Sequence, residues 1–203
     1  MYNRSNIQFR EAQNKTELEA LFTLRHQVYQ EDRNLQSMLS ENNLDLTVYD
    51  LNALHFGAFE NDKAIAYIRL VVEKETHFTA WANELISELG IQLEKQKFPF
   101  PFQNYHPDLN WSIQFIKSLE SRKIGEVGRL AIHKDYRQAG EILDALFENF
   151  INYCKNQGIN TAFGSCTLLL ERYYRKFNFV RVENCQPFMY KDLPEAVIVR
   201  FDD

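Results

Sequence analysis

Glu126-Val-Gly-Arg-Leu-Ala-Ile132 runs directly into His-Lys-Asp-Tyr-Arg137-Gln-Ala-Gly140, and this junction decides the fold. The first seven residues are apolar enough for a central strand. Beyond the junction, Glu141–Gln157 carries Leu143, Leu146, Phe147, Phe150 and Cys154 at helical spacing and stops at Gly158. Glu126 and Arg129 stand three apart, so simple alternation sends them to opposite faces. A bulge at Val127–Gly128 would bring both to one face, and Gly128 suits it.

Downstream, the pattern predicts a strand at Thr161–Cys166, a helix over Thr167–Phe177 and short strands at Phe179–Val182, Phe188–Tyr190 and Ala196–Phe201. Upstream, a strand at Ile7–Ala12 precedes a helix from Lys15 to Glu31, opened by the capping pair Asn14 and Glu17. Arg25 interrupts that helix's stripe of Leu18, Leu21, Phe22, Val28 and Tyr29. A guanidinium facing a core needs a carboxylate partner. Residues 32–50 read as a long acidic loop. The runs Leu54–Glu60 and Ala64–Glu73 form a hairpin through Asn61-Asp62-Lys63, and Arg69 breaks the apolar row Ile65, Tyr67, Val71. Helical stretches at Ala80–Leu89 and Leu109–Leu119 flank Phe98-Pro-Phe-Pro-Phe102. Segment 74–122 is an insertion in a single domain spanning 1–203, since neither helix could bury its apolar face alone. The fold class is α/β (α+β), one mixed sheet with helices on both faces.

Composition narrows the function. The chain is 45% hydrophobic and 25% charged, which supports a packed core, and its net charge of −5 argues against nucleic acid as a partner. No apolar run reaches the ~18 residues of a membrane span. The polar residues 1–20 do not read as a secretory signal, and three scattered cysteines form neither a disulfide framework nor a zinc site. A reducing cytoplasm is the expected setting. The five histidines lack metal-ligand spacing, so no metal is expected. Lys117–Arg137 holds six basic residues (Lys117, Arg122, Lys123, Arg129, Lys134, Arg137) against Glu120, Glu126 and Asp135, and Arg172, Arg175 and Lys176 form a second group. These are either solvated faces or a docking surface for an anionic partner.

The segment Glu126–Phe179 resembles the acyl-transfer core of the GNAT (GCN5-related N-acyltransferase) superfamily. Arg137-Gln138-Ala139-Gly140 is similar to its pyrophosphate loop, in which main-chain N–H groups at a helix start hold phosphate oxygens. Ile142 departs from the pattern, where a third small residue is usual. Glu171-Arg-Tyr-Tyr174-Arg-Lys-Phe-Asn-Phe179 is similar to the family's helix-to-strand signature, with Asn178 in place of Gly; Asn tolerates a left-handed conformation. Arg25-His-Gln-Val-Tyr29, Tyr49-Asp50, Ala66-Tyr-Ile-Arg69-Leu70 and Glu126-Val-Gly-Arg129 together resemble the acyl-homoserine lactone synthase branch and its relatives, the long-chain N-acyl amino acid synthases. Thr47 stands where that branch carries its first acid, with Asp45 two residues earlier. The branch's tryptophan is missing and the insertion is longer, which favours the amino-acid relatives.

The resemblance implies an N-acyltransferase that moves a fatty acyl group from a phosphopantetheine thioester, on acyl carrier protein or CoA, to the amine of an amino acid or similar small acceptor. No tightly bound cofactor is implied. Glu126 would take the amine's proton, N–H groups at the Gly128 bulge would hold the thioester oxygen, and Tyr174 would protonate the leaving thiolate. Arg25, Tyr29, Asp50, Arg69 and Arg129 would shape the acceptor pocket, and Arg137, Gln138, Ala139 and Gly140 would bind the donor's phosphate. The alternatives are an acetyl-CoA-dependent N-acetyltransferase and a non-catalytic carrier-binding module. The arginine–carboxylate set also reads as a network that only pins the first helix to the sheet, and Tyr173 and Tyr174 also read as packing. Cys154 reads as packing, and Cys166 ends a strand at the cleft as a candidate nucleophile. Phe98–Phe102 either lines an acyl tunnel or packs as a surface turn.

Overall fold

The computed structural model describes residues 6–32, 35–137, 140–191 and 193–203. In chain order the elements are β1 (Ile7–Glu11), α1 (Lys15–Glu31), β2 (Ala53–Glu60), β3 (Lys63–Val71), α2 (Phe78–Leu89), α3 (Leu109–Lys117), β4 (Ile124–Ile132), α4 (Gly140–Asn156), β5 (Thr161–Thr167), α5 (Leu168–Tyr174), β6 (Val180–Arg181), β7 (Phe188–Tyr190) and β8 (Leu193–Asp202). The strands form one sheet in the order β1-β2-β3-β4-β5-β8-β6, with β7 on β8, and β4–β5 is its parallel pair. Helices cover both faces. At β2 the Gly57 position faces Leu21 of α1, while its neighbour Phe56 turns the other way, onto Phe150 and Tyr153 of α4.

Local chemistry explains most boundaries. Asn14 caps α1 by accepting the Glu17 N–H at 2.9 Å. Asn61 and Asp62 both take positive φ, which a tight two-residue hairpin turn demands, and Lys63 already belongs to β3. Gly158 ends α4 and Asn178 ends the 3-10 turn after α5, each in the left-handed conformation. On α4 the core takes Ile142 in place of the expected Leu143, which is half-buried. The apolar end of the chain forms a longer strand than expected, β8, paired along all of β5.

The insertion divides between two cores. Phe78, Ala82 and Leu85 of α2 join the main core against α1. Phe100 and Phe102 build a second core with Phe115 of α3 and Phe163 of β5, through edge-to-face ring contacts of 5.0–6.0 Å. The aromatic run is therefore a turn packed on the body through Phe100 and Phe102, with Pro99 exposed at the surface.

Two irregularities open the sheet. The β3–β4 register slips so that Tyr67 faces Ala131 and Arg69 faces Gly128, leaving an extra residue on β4. The bulge falls on Arg129, which holds φ +56, and not at Val127–Gly128 as the glycine suggested. On the other side, β4 and β5 pair only from Ile124–Thr161 to Glu126–Phe163 and then diverge.

The strands still touch one residue past their last pair: a Cβ on Gly164 would stand 2.7 Å from the Val127 carbonyl oxygen, whereas one on Gly128 would meet nothing within 4 Å. Gly164→Ala is expected to cost about 1–3 kcal/mol, as overpacking does. Gly128→Ala should stay within ~1 kcal/mol of wild type. Urea unfolding midpoints compare the two.

Candidate active site

Arg25 reaches from α1 into the interior with no exposed surface. Its Nε lies 2.9 Å from Asp45 Oδ2 and its Nη1 2.8 Å from Asp50 Oδ1, while Nη2 donates to the Asp45 carbonyl at 2.5 Å. Arg69 of β3 shares Asp50 Oδ1 at 3.0 Å, and Arg129 of β4 shares Asp45 Oδ2 at 3.0 Å. Thr47 N–H and Oγ1–H donate to Asp50 Oδ2, and the Ser40 N–H donates to Asp45 Oδ1. The acid expected two residues from its usual register therefore takes part, with Asp45 held at φ +52 to reach inward. Burial alone would raise the Asp50 pKa; Arg25 and Arg69 outweigh it and hold the carboxyl well below the usual range.

Behind this cluster lies a chain of neutral groups. His55 Nε2 faces the Asp50 carbonyl at 3.0 Å, so that nitrogen carries the proton. Its Nδ1 then accepts from Tyr67 Oη at 2.9 Å, and Tyr67 accepts from Arg25 Nη1 at 3.1 Å. Burial lowers the His55 pKa to about 3, so the ring stays neutral.

Three guanidiniums thus meet two carboxylates, leaving one positive charge in excess. Glu126 is not in any of these ion pairs. It is buried beside the second core, where Oε2 accepts the Phe102 N–H at 3.1 Å. Burial pushes its pKa up to about 8, against the lowering effects of that N–H and of Arg69.

Where β4 and β5 part, a narrow cavity of about 70 Å³ opens, walled by Glu126, Gly128, Arg129, Ser165, Cys166 and Arg69 among others. A wider cleft of about 810 Å³ lies next to it under the 39–49 loop and residues 89–94. Arg69, Arg129 and Tyr190 border both. Arg69 commits Nη1 to Thr47 and Asp50, while its Nε is buried without a partner among the described residues.

The expected site residues fall into three groups. Glu126, Gly128, Arg69 and Arg129 line the cavity. Arg25, Tyr29 and Asp50 line neither opening; they stand behind Arg69 and Arg129 and fix them, with the Tyr29 ring 5.6 Å from the Arg129 guanidinium carbon. Tyr174 is also off both walls, packed edge-on between Phe147 and Phe179. Arg137 folds back, its Nε donating to the Ile132 carbonyl at 2.9 Å, and Gly140 starts α4. Gln138 and Ala139 lie outside the described residues. Burial raises the Cys166 thiol pKa to about 12, which does not suit a nucleophile. Among the described residues no group of three metal-ligating side chains occurs, and no helix is long and apolar enough to cross a membrane.

The sequence reading missed His55, Tyr67, Phe102, Ser165 and Tyr190. His55, a polar residue inside a buried strand run, gave a usable signal. Phe102 acts through its main chain and gave none.

The acetyltransferase (GNAT) domain model matches residues 24–146. A search of curated proteins by sequence returned no match. Among solved structures, FeeM, an N-acyl amino acid synthase from uncultured soil microbes, superposes with a TM-score of 0.62 at 13% identity, covering 99% of this chain and 93% of that one. An acyl-CoA N-acyltransferase from Pseudomonas aeruginosa gives 0.56 at 16% identity, covering 96% and 97%. The CoA-dependent acyl-homoserine lactone synthase BjaI, with SAM and isopentyl-CoA, gives 0.57 at 18%, covering 96% and 82%. At these identities the likeness shows the fold.

The displaced Glu126 pKa has a stability consequence. A carboxyl raised from about 4.3 unfolded to about 8 folded contributes stability that is full below the unfolded value and is lost as pH rises through the folded one. Glu126→Gln cannot ionise, so its melting temperature should exceed wild type at pH 8.5 and the gap should close by about pH 4. Thermal unfolding at the two pH values checks the sign.

Proposed function

The chain belongs to the acetyltransferase (GNAT) domain family, and from that premise we propose that it transfers an acyl group from a phosphopantetheine thioester to the amine of a small, amino-acid-like acceptor. The observation that carries this reading is the placing of Glu126 at the cavity between the parted strands, beside a cluster with one positive charge in excess.

The chemistry follows from the wall. The β4–β5 pairing ends at Glu126–Phe163, and N–H groups that β4 turns to that side past this point can meet the thioester oxygen as it gains charge. Glu126 is poised near its own pKa to accept the amine's proton. The unpaired Nε edge of Arg69 suits a planar carboxylate, which would also balance the excess charge. The wider cleft holds the rest of the acceptor.

Two finer points concern the donor. The narrow cavity, about 70 Å³, is small beside the cleft of about 810 Å³ that it adjoins. Its Glu126 and Ala196 wall rests on the second aromatic core. That favours a short acyl group over the fatty one implied by the sequence resemblance. As for the carrier, Arg122, Lys134, Arg175 and Lys176 pair with Asp202, Glu31, Glu171 and Asp144, so much of the basic surface is already neutralised. Acyl carrier protein remains our proposed donor, with CoA as the competing one; Lys117, Lys123, Arg137 and Arg172 supply what steering remains. Three free, buried cysteines fit a reducing cytoplasm.

Glu126→Gln should lower acyl transfer by on the order of 10²-fold or more without unfolding the chain, and wild-type kcat/KM should rise with pH through about 8. Arg69→Lys should raise the acceptor KM about tenfold and leave the donor KM unchanged. Free-thiol release, followed with matched acetyl, butyryl, octanoyl and lauroyl donors on carrier and on CoA, measures all of these. Glu126→Gln activity within about threefold of wild type would remove Glu126 from the base role.

A further inference from the structure

Tyr174, the donor that the resemblance implies for the leaving sulfur, packs its ring between Phe147 and Phe179 and lines neither opening. Ser165 does line the cavity. It lies on β5 two residues beyond Phe163, the strand partner of Glu126, and side chains two apart on a strand share a face. Its Oγ is buried and has no hydrogen-bond partner among the described residues. A buried hydroxyl left unpaired is costly, so the position asks for a group that arrives with the substrate.

We propose that Ser165 is a further catalytic residue, whose Oγ–H donates to the sulfur of the thioester as the C–S bond breaks. The proposal rests on the acyl-transfer reading of the site. A thioester lying between the parted strands, with its oxygen toward the N–H groups of β4, turns its sulfur toward β5, where Ser165 stands.

The protons balance within the site. The amine nitrogen forms the C–N bond, and sulfur departs with the C–S electron pair. Glu126 takes the proton that the amine loses. Ser165 passes its own proton to sulfur and regains one from Glu126 across the same cavity, so the products are an amide and a free thiol. A serine hydroxyl is too weak an acid to ionise outright, so the two proton movements at Ser165 are concerted. Cys166, the next residue, turns to the other face and into the main core, and takes no part.

The test varies the leaving group. Purified full-length wild type and Ser165→Ala are given acetyl-CoA or phenyl thioacetate, with an equimolar pool of the common L-amino acids as acceptors. Thiol release and amide formation are followed, the uncatalysed rate is subtracted, and circular dichroism confirms the fold. With acetyl-CoA, Ser165→Ala should lose on the order of 10² in kcat and keep both KM values within about threefold. With phenyl thioacetate most of that deficit should disappear, because a thiophenolate leaves without help. Ser165→Thr, which keeps a hydroxyl, should recover most of the rate. An equal deficit with both donors makes Ser165 a packing residue and overturns the proposal, as does a loss that follows Tyr174→Phe while sparing Ser165→Ala. In each of those results wild type still turns over, so the acyl-transfer reading survives. Wild type that releases no thiol from acetyl-CoA, from phenyl thioacetate or from an acetyl-loaded carrier protein removes that reading and the proposal together.

Discussion

Arg25 is a permanently charged side chain with no contact with water, and the architecture around it is arranged to make that tolerable. A buried guanidinium without partners costs several kcal/mol, and breaking one buried pair costs about 3–5 kcal/mol. Its partners come from the loop after α1, and the same two acids bind arginines on β3 and β4. One electrostatic requirement therefore fixes the helix, the 32–50 loop and the two strands that flank the bulge. Neutral groups extend it: Tyr67 accepts from Arg25 and His55 accepts from Tyr67, and neither adds charge to the cluster.

Asp50 and Glu126 show how partners, rather than burial, separate the roles of two acids. Both are buried, and burial alone would raise both. Asp50 has two guanidiniums in contact and stays ionised, so it serves as a fixed counter-ion. Glu126 has one main-chain N–H and a distant Arg69, so it titrates near neutrality and can exchange a proton. The insertion matters here. It supplies that N–H from Phe102 and sets the second aromatic core beside the carboxyl.

The parts of this arrangement that could be read from sequence are those written in side-chain periodicity. Arg25 and Arg69 each break an apolar row, and the row itself fixes which way they point. Asn61-Asp62, Gly158 and Asn178 mark turns because few residues tolerate a left-handed backbone. Asn14 is legible for a different local reason: its side-chain oxygen accepts a free N–H at the start of α1. What sequence could not supply depends on tertiary pairing. The β4–β5 separation has no local signature, and Ser165 gains meaning only from it. Phe102 reaches Glu126 through a peptide N–H, which every residue but proline carries. The division of the expected pocket residues into wall and support also depends on depth: Arg25 and Arg69 look alike in one dimension, yet only Arg69 reaches an opening.

The bulge is where local preference and the folded answer disagree, and the reason lies in the contacts of Arg129. Gly128 is the residue best suited to an unusual backbone, yet the left-handed conformation falls on Arg129 next to it. For a residue with a side chain that conformation costs roughly 1–2 kcal/mol. A glycine there would avoid the cost but carry no charge. Arg129 at the bulge can reach Asp45 Oδ2 and the Met38 carbonyl while its guanidinium borders both openings. Those contacts hold the strained backbone, and the strain in turn places Arg129 on the same face as Glu126. Regular alternation would have sent the two to opposite sides of the sheet, so the chain carries its strain at the residue whose side chain the site needs.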